Sequence, residues 1–198
     1  DRPKAFVEVA GRTLLRRSAE ALASCPSVGA LIIVAPEHLL REAGDEAWGT
    51  GKLRAVVAGG ATRQDSVRAG LAETVAADEV VLVHDAARPF VTSELVARVV
   101  EAARADGAAI PVAPVVDTIK RVRAGRVGET VDRESLGAAQ TPQGFDRRLL
   151  LRAYAAAARD GVALTDEAMA MERVGRPVTA VPGSVRNFKI TTAEDLDR

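Results

Sequence analysis

Residues 80–90, VVLVHDAARPF, decide how this chain folds. The first four form an apolar run, the pattern of a strand covered on both faces. The run stops on His84 and Asp85, and Arg88 and Pro89 follow closely. In an open α/β sheet, ligands bind outside the carboxyl ends of the strands. A carboxylate at that place can hold a metal ion, and an arginine beside it can neutralise phosphate. The structural alternatives are a turn or helix cap for Asp85 and a stiff exposed turn for Arg88-Pro89.

The flanking sequence repeats the strand signal. Residues 31–35 (LIIVA), 55–58 (AVVA), 108–112 (AAIPV) and 178–181 also read as buried strands. Between and after them, residues 13–23, 63–75, 93–105, 147–158 and 165–174 read as helices. In the third of these, Leu95, Val96, Val99, Val100 and Ala103 keep helical spacing, and Thr92 or Ser93 can cap its start. Alternating strands and helices predict an α/β fold, with a mostly parallel sheet covered on both faces.

The chain has 198 residues, enough for one domain with a real core, and no repeat or second domain is visible. Lysine plus arginine balances aspartate plus glutamate at 27 each, which argues against a general nucleic-acid or membrane-surface binder. The single cysteine, Cys25, excludes an internal disulfide and suits a reducing compartment, so a cytoplasmic location is expected. No apolar run approaches the ~20 residues of a membrane-spanning helix, and no signal peptide is visible.

Residues 115–136 break the rhythm. They are polar and basic, and RAGR reads as a turn between two extended arms. Such a hairpin has too little apolar surface to stand alone, which points to support from a second subunit. A surface loop is the alternative reading.

Several segments carry residues that could hold a ligand. AGGATRQDSV, residues 58–67, follows a strand and opens a helix. Gly59 and Gly60 let backbone amides approach a ligand, and Ser66 with the helix start can receive polar or anionic groups. Two glycines after a strand are more often a plain turn, and Arg63 could equally be a solvated helix residue. Lys4, after Pro3, is a charge near a terminus. Thr165 is placed to cap a helix. Lys189, in the extended stretch NFKIT, reads as a buried lysine. Arg133 lies in the basic hairpin, where solvation is the default. His38 and His84 lack metal-ligand spacing, and Cys25 has no catalytic partner in sequence.

The order of these pieces is more specific than any one of them. PKAF, GGATRQDSV, VHDAARPF, DTIK, TVDR, QTPQGF, TDEA and NFKIT follow one another from Pro3 to Thr191. In that order they resemble the 2-C-methyl-D-erythritol 4-phosphate cytidylyltransferases of the non-mevalonate isoprenoid pathway. The resemblance implies a Rossmann-like nucleotide-diphospho-sugar transferase fold and a homodimer with exchanged β-arms. It also implies in-line transfer of a cytidylyl group from CTP to a sugar-alcohol phosphate, with Mg2+ as cofactor. Lys4 would contact the CTP phosphates. Asp85 would hold the metal, and Gly60, Ala61, Ser66, Asp85 and Ala86 would surround the nucleotide. Thr165 and Lys189 would hold the acceptor, and Thr118 and Arg133 would reach the neighbouring subunit's acceptor site. Lys4, Arg133 and Lys189 would carry catalysis.

The sequence departs from the family pattern in two places. The pattern opens with a strand and an A-A-G-x-G-x-R loop just ahead of the Pro-Lys pair, and this sequence starts at Asp1 without them, so triphosphate binding is expected to fail if that loop and its arginine are missing. Ala61 stands where some relatives carry an acid, at what looks like a backbone contact. The neighbouring expectations are a ribitol 5-phosphate cytidylyltransferase and, from another class, an inactive nucleotide-binding regulator. A dinucleotide-binding oxidoreductase is disfavoured, because no G-x-G-x-x-G follows a strand.

Overall fold

The computed structural model describes residues 3–192 and 194–197. In chain order the elements are β1 (Glu8–Val9), β2 (Arg12–Thr13), α1 (Leu14–Ala23), β3 (Leu31–Ala35), α2 (Leu40–Trp48), β4 (Leu53–Ala58), α3 (Arg63–Ala72), β5 (Val80–Val83) and α4 (Ser93–Asp106). There follow β6 (Ala108–Pro114), β7 (Ile119–Arg123), β8 (Arg126–Val131), β9 (Gly137–Ala139), β10 (Gln143–Asp146), α5 (Arg147–Arg159), α6 (Glu167–Arg173) and β11 (Thr179–Pro182). All five strands and all five helices expected from the apolar pattern are present. The segments it missed are α2, the short β1–β2 pair, β9 and β10.

The larger sheet has the order β11-β6-β10-β5, with β9 on the end of β6. β11 is parallel to β6, while β10 is antiparallel to both β6 and β5, so β5, β6 and β11 run in one direction. β3 and β4 form a second, parallel pair. The fold is thus α/β with a mostly parallel sheet, into which β10 and the short β9 are set in reverse.

Adjacent residues of β6 show that both faces are covered. Ala108 packs with Phe145 and the helices α5 and α6, through Leu150, Ala153 and Met171. Its neighbour Ala109 packs with Val99 and Ala103 of α4. This alternation follows from the two-residue period of a strand. Close packing also explains Gly144 in β10: a Cβ there would lie 2.7 Å from a Val99 methyl and 3.3 Å from the Ala103 methyl. The α4 residues Leu95, Val96, Val99, Val100 and Ala103 are all buried, and Thr92, not Ser93, caps the helix by accepting the Leu95 N–H.

β3 and β5 are not paired with each other. They flank a cleft of about 610 Å3, lined along its walls by Ile32–Val34 and Val80–Val83. Val80–Val83 are half-buried.

The hairpin is formed as the sequence suggests. β7 and β8 pair only with each other, joined by Ala124 and Gly125, both at positive φ (47° and 74°). Two consecutive positive φ values suit the right-handed twist of a tight hairpin. Its charged faces are laced by Arg121–Glu129 and by Lys120 donating to Thr130. Val116, Val122 and Val127 are exposed at 71 %, 59 % and 68 %, so no element among the described residues covers them.

Candidate active site

The apolar run of β5 delivers Asp85 to the carboxyl end of the sheet, and the polar residues around it fix that position. Thr141 Oγ1 accepts the Asp85 N–H at 3.0 Å and sits 3.1 Å from His84 Nδ1. His84 Nε2 lies 3.1 Å from the Arg88 carbonyl, which can only accept, so the ring proton is on Nε2. Nδ1 then accepts from the Thr141 hydroxyl, and a chain of bonds runs from the Arg88 carbonyl through His84 and Thr141 to the Asp85 amide. Burial pushes the His84 pKa down to about 4, which keeps the ring neutral and this chain intact.

The Asp85 carboxylate receives Lys189 Nζ at 2.9 Å, and Arg88 Nε stands 3.8 Å away. Burial alone would raise the Asp85 pKa. The bond from Lys189, and the charges of Lys189 and Arg63, outweigh that and hold it below the ordinary carboxylate value. Lys189 is 45 % exposed, so the expectation of a buried lysine is corrected. The backbone around it is pinned. Ile190 N–H donates to the Ala87 carbonyl, Arg88 Nη1 to the Asn187 carbonyl, and Asn187 Nδ2 to the Thr141 carbonyl. Arg88 is therefore a brace between the strand end and the 187–190 segment. Ala86 joins the same wall, its carbonyl accepting the Ser18 hydroxyl at 2.8 Å.

The loop from β4 to α3 forms the other rim. Thr62 caps α3 by accepting the Asp65 N–H, and Ser66 Oγ accepts the Gly60 N–H at 3.2 Å while donating to the Thr62 carbonyl. This tight wrap requires glycine: a Cβ on Gly60 would sit 2.3 Å from Asp65 Cβ. Gly60 and Ala61 are exposed, and Ser66 and Arg63 line the cleft together with Asp85 and Ala86.

Thr165 is held beside this rim. Its expected role as a cap belongs instead to Asp166, which accepts the Met169 N–H at 3.0 Å. The Thr165 side chain is exposed and reaches only the Met169 sulfur. Arg63, which the sequence leaves open to solvation or to a partner, grips Glu167 with both guanidinium nitrogens at 2.7 and 2.8 Å. Glu167 is fully buried and also accepts the Tyr154 hydroxyl at 2.8 Å.

Other candidates lie further out. Lys4, in a short 3-10 turn, is exposed and donates to the Thr191 carbonyl, two residues beyond Lys189. Thr118 and Arg133 are exposed at the root of the hairpin, and Arg133 Nη1 donates to the Val116 carbonyl across that root. Among the described residues, no hydrogen bond or ion pair joins them to the Asp85–Lys189 pair of their own chain. Sequence reasoning missed Arg63, Thr141, Gln143 and Glu167. All four lie within segments already singled out for their order, which was their only signal.

A carboxylate kept ionised at a strand end, with ammonium and guanidinium groups close by, suits a reaction in which phosphates are gathered and one is attacked. Fold and relatives alike place the chain among the nucleotidyltransferases. The sequence matches the family described as IspD, 2-C-methyl-D-erythritol 4-phosphate cytidylyltransferase, over residues 1–198. It is 48 % identical to the 2-C-methyl-D-erythritol 4-phosphate cytidylyltransferase of Deinococcus radiodurans, over 98 % of this chain and 79 % of that protein. It is 49 % identical to the bifunctional enzyme IspD/IspF of Anaeromyxobacter dehalogenans, over 98 % of this chain and 51 % of the relative. The chain thus spans about half the length of such bifunctional relatives. The crystal structure of 2-C-methyl-D-erythritol 4-phosphate cytidylyltransferase from Thermus thermophilus superposes with a TM-score of 0.86 at 41 % identity, covering 98 % of this chain and 91 % of that one. The chain belongs to the 2-C-methyl-D-erythritol 4-phosphate cytidylyltransferase family.

Proposed function

We propose that the protein joins CTP and 2-C-methyl-D-erythritol 4-phosphate, giving 4-diphosphocytidyl-2-C-methyl-D-erythritol and pyrophosphate. An oxygen of the acceptor phosphate forms a bond to the α-phosphorus of CTP. The bond from that phosphorus to the β-phosphate oxygen breaks, and its electron pair leaves with pyrophosphate. No covalent enzyme intermediate is needed, so the protein's task is positioning and charge stabilisation. Within the family assignment, the observation that carries this reading is the ionised Asp85 at the end of β5, bonded to a half-exposed Lys189.

Among the described residues there is no cluster of three His, Cys, Asp or Glu side chains able to hold a metal. A single carboxylate nevertheless fits Mg2+, which takes most of its oxygens from water and substrate phosphates. Asp85 would hold that ion, and the ion would neutralise phosphate charge. Lys4 contacts the CTP phosphates. Gly60, Ala61 and Ser66 present backbone and hydroxyl groups to the nucleotide, with Ala86 on the opposite wall. Lys189 exchanges its bond to Asp85 for one to the acceptor, which Thr165 also holds.

The hairpin, with its uncovered valines, crosses to a second copy of the chain. There Thr118 and Arg133 of the partner subunit complete the acceptor site. A pyrophosphate-release assay on the full-length protein, with CTP and either methylerythritol phosphate or ribitol 5-phosphate, tests the reading. Turnover restricted to methylerythritol phosphate supports it. Preference for ribitol 5-phosphate, or no pyrophosphate with either acceptor, overturns it.

A further inference from the structure

We infer that Gln64 and Arg63 are positioning residues that fix Thr165 against the nucleotide-side loop, so that both substrate sites are held by one clamp. Resting on the reading above, the inference goes further, because neither residue is among those that would touch the acceptor. Gln64 Oε1 accepts the Leu164 N–H at 2.9 Å, just before Thr165. Arg63 makes its two-pronged bond to Glu167, just after it. Two consecutive residues at the start of α3 therefore grasp the chain on both sides of Thr165. These contacts bridge about one hundred residues of sequence, at separations of 100 and 104.

The far side is tied as well. Gln143 of β10 donates to the Asp166 carboxylate at 3.0 Å and accepts the Ala168 N–H at 3.2 Å. Thr165 is thus suspended between α3, which opens from the Gly60–Ser66 loop, and β10, whose neighbour Thr141 holds the Asp85 amide. Planar, two-point guanidinium–carboxylate bonding sets direction as well as distance. Glu167, fully buried and bonded by Tyr154, is the fixed end of the strut. Misplacement of a binding group by about 1 Å is enough to cost much of its effect.

Gln64→Ala is the informative variant, since Gln64 is only partly buried and lies outside the cleft lining. It should raise the KM for the acceptor about tenfold, as expected for a lost orienting hydrogen bond. The KM for CTP should stay within about twofold, and the melting temperature should fall by only about 2–4 °C, for the loss of one part-buried hydrogen bond. In a Thr165→Val background, Gln64→Ala should add nothing further to the acceptor KM, because residues that act as one unit are non-additive. Arg63→Lys, which keeps charge but loses the fork, should raise the acceptor KM too. An unchanged acceptor KM in Gln64→Ala, or additive effects of the two substitutions, overturns the clamp. If the unmodified protein itself fails to turn over both substrates, the proposed function falls first; normal turnover with a silent Gln64→Ala removes the clamp alone.

Discussion

Replacing Asp85 by asparagine separates the two roles its position allows, ligand for a cation or structural cap. Asparagine keeps the shape and leaves the Asp85 N–H bonded to Thr141. The variant loses the negative charge that Lys189 and Arg88 face at 2.9 and 3.8 Å. Lys189 is 45 % exposed, so its ammonium regains water and the broken pair removes only ~1 kcal/mol. Arg88 is 12 % exposed and its Nε has no hydrogen-bond partner, so loss of the nearby carboxylate adds roughly 1–2 kcal/mol. Against this, the burial penalty of the carboxylate itself disappears. The net effect on folding is then about 2 kcal/mol at most, well inside the 5–15 kcal/mol of an ordinary domain. The effect on rate should be larger, on the order of 10²–10³-fold, if a charge that organises the reacting phosphates is removed. Urea melts give the first quantity, and pyrophosphate release across a Mg2+ titration gives the second. The variant should melt as one cooperative unit, react slowly, and need far more Mg2+. Coinciding Mg2+ curves for variant and parent would refute the reasoning and leave Asp85 a cap.

Lys4→Ala should keep the melting temperature, since the side chain is exposed and loses one bond to the Thr191 carbonyl, while turnover falls by about 10²–10³; near-normal turnover removes Lys4 from the phosphate site. Arg133→Ala and Lys189→Ala should each be inactive, yet mixing them with free subunit exchange should restore about a quarter of parent activity, because half the dimers carry one intact shared site. No recovery, with exchange verified by mass, assigns Arg133 to its own subunit. His84 supplies a pH effect. Its folded pKa of about 4 lies below the unfolded value near 6.5, so between these pH values only the unfolded chain takes up the proton. Stability should be full above pH 6.5 and fall on acidification by up to about 1.4 kcal/mol per unit. In His84→Gln the extra slope in that window should vanish, and equal slopes in both proteins count against a neutral buried ring.

The sequence revealed strands and helices wherever apolar residues kept a regular period, as in β5 and α4. It was silent on β10, because Gln143–Asp146 has no such period. Those residues are extended because β5 and β6 offer hydrogen bonds on both sides, and Phe145 fills one face while α4 closes over Gly144 on the other. α2 was missed for a milder reason. Leu40, Ala43 and Ala47 keep helical spacing, but Gly44 and the acids between them dilute it. Polar pairing fails differently. Nothing near Arg63 in the chain distinguishes it from a solvated arginine, since the acid that binds it lies 104 residues on. Only the order of motifs hinted at such contacts, and the structure gives that order a physical basis. TPQGF and TDEA look like separate signatures, yet Gln143 of the first bonds Asp166 and Ala168 of the second. GGATRQDSV bonds the same segment from the opposite side, through Gln64 and Arg63. A substitution in any one of the three motifs therefore acts on a shared frame, and its effect on the acceptor should depend on whether the other two are intact.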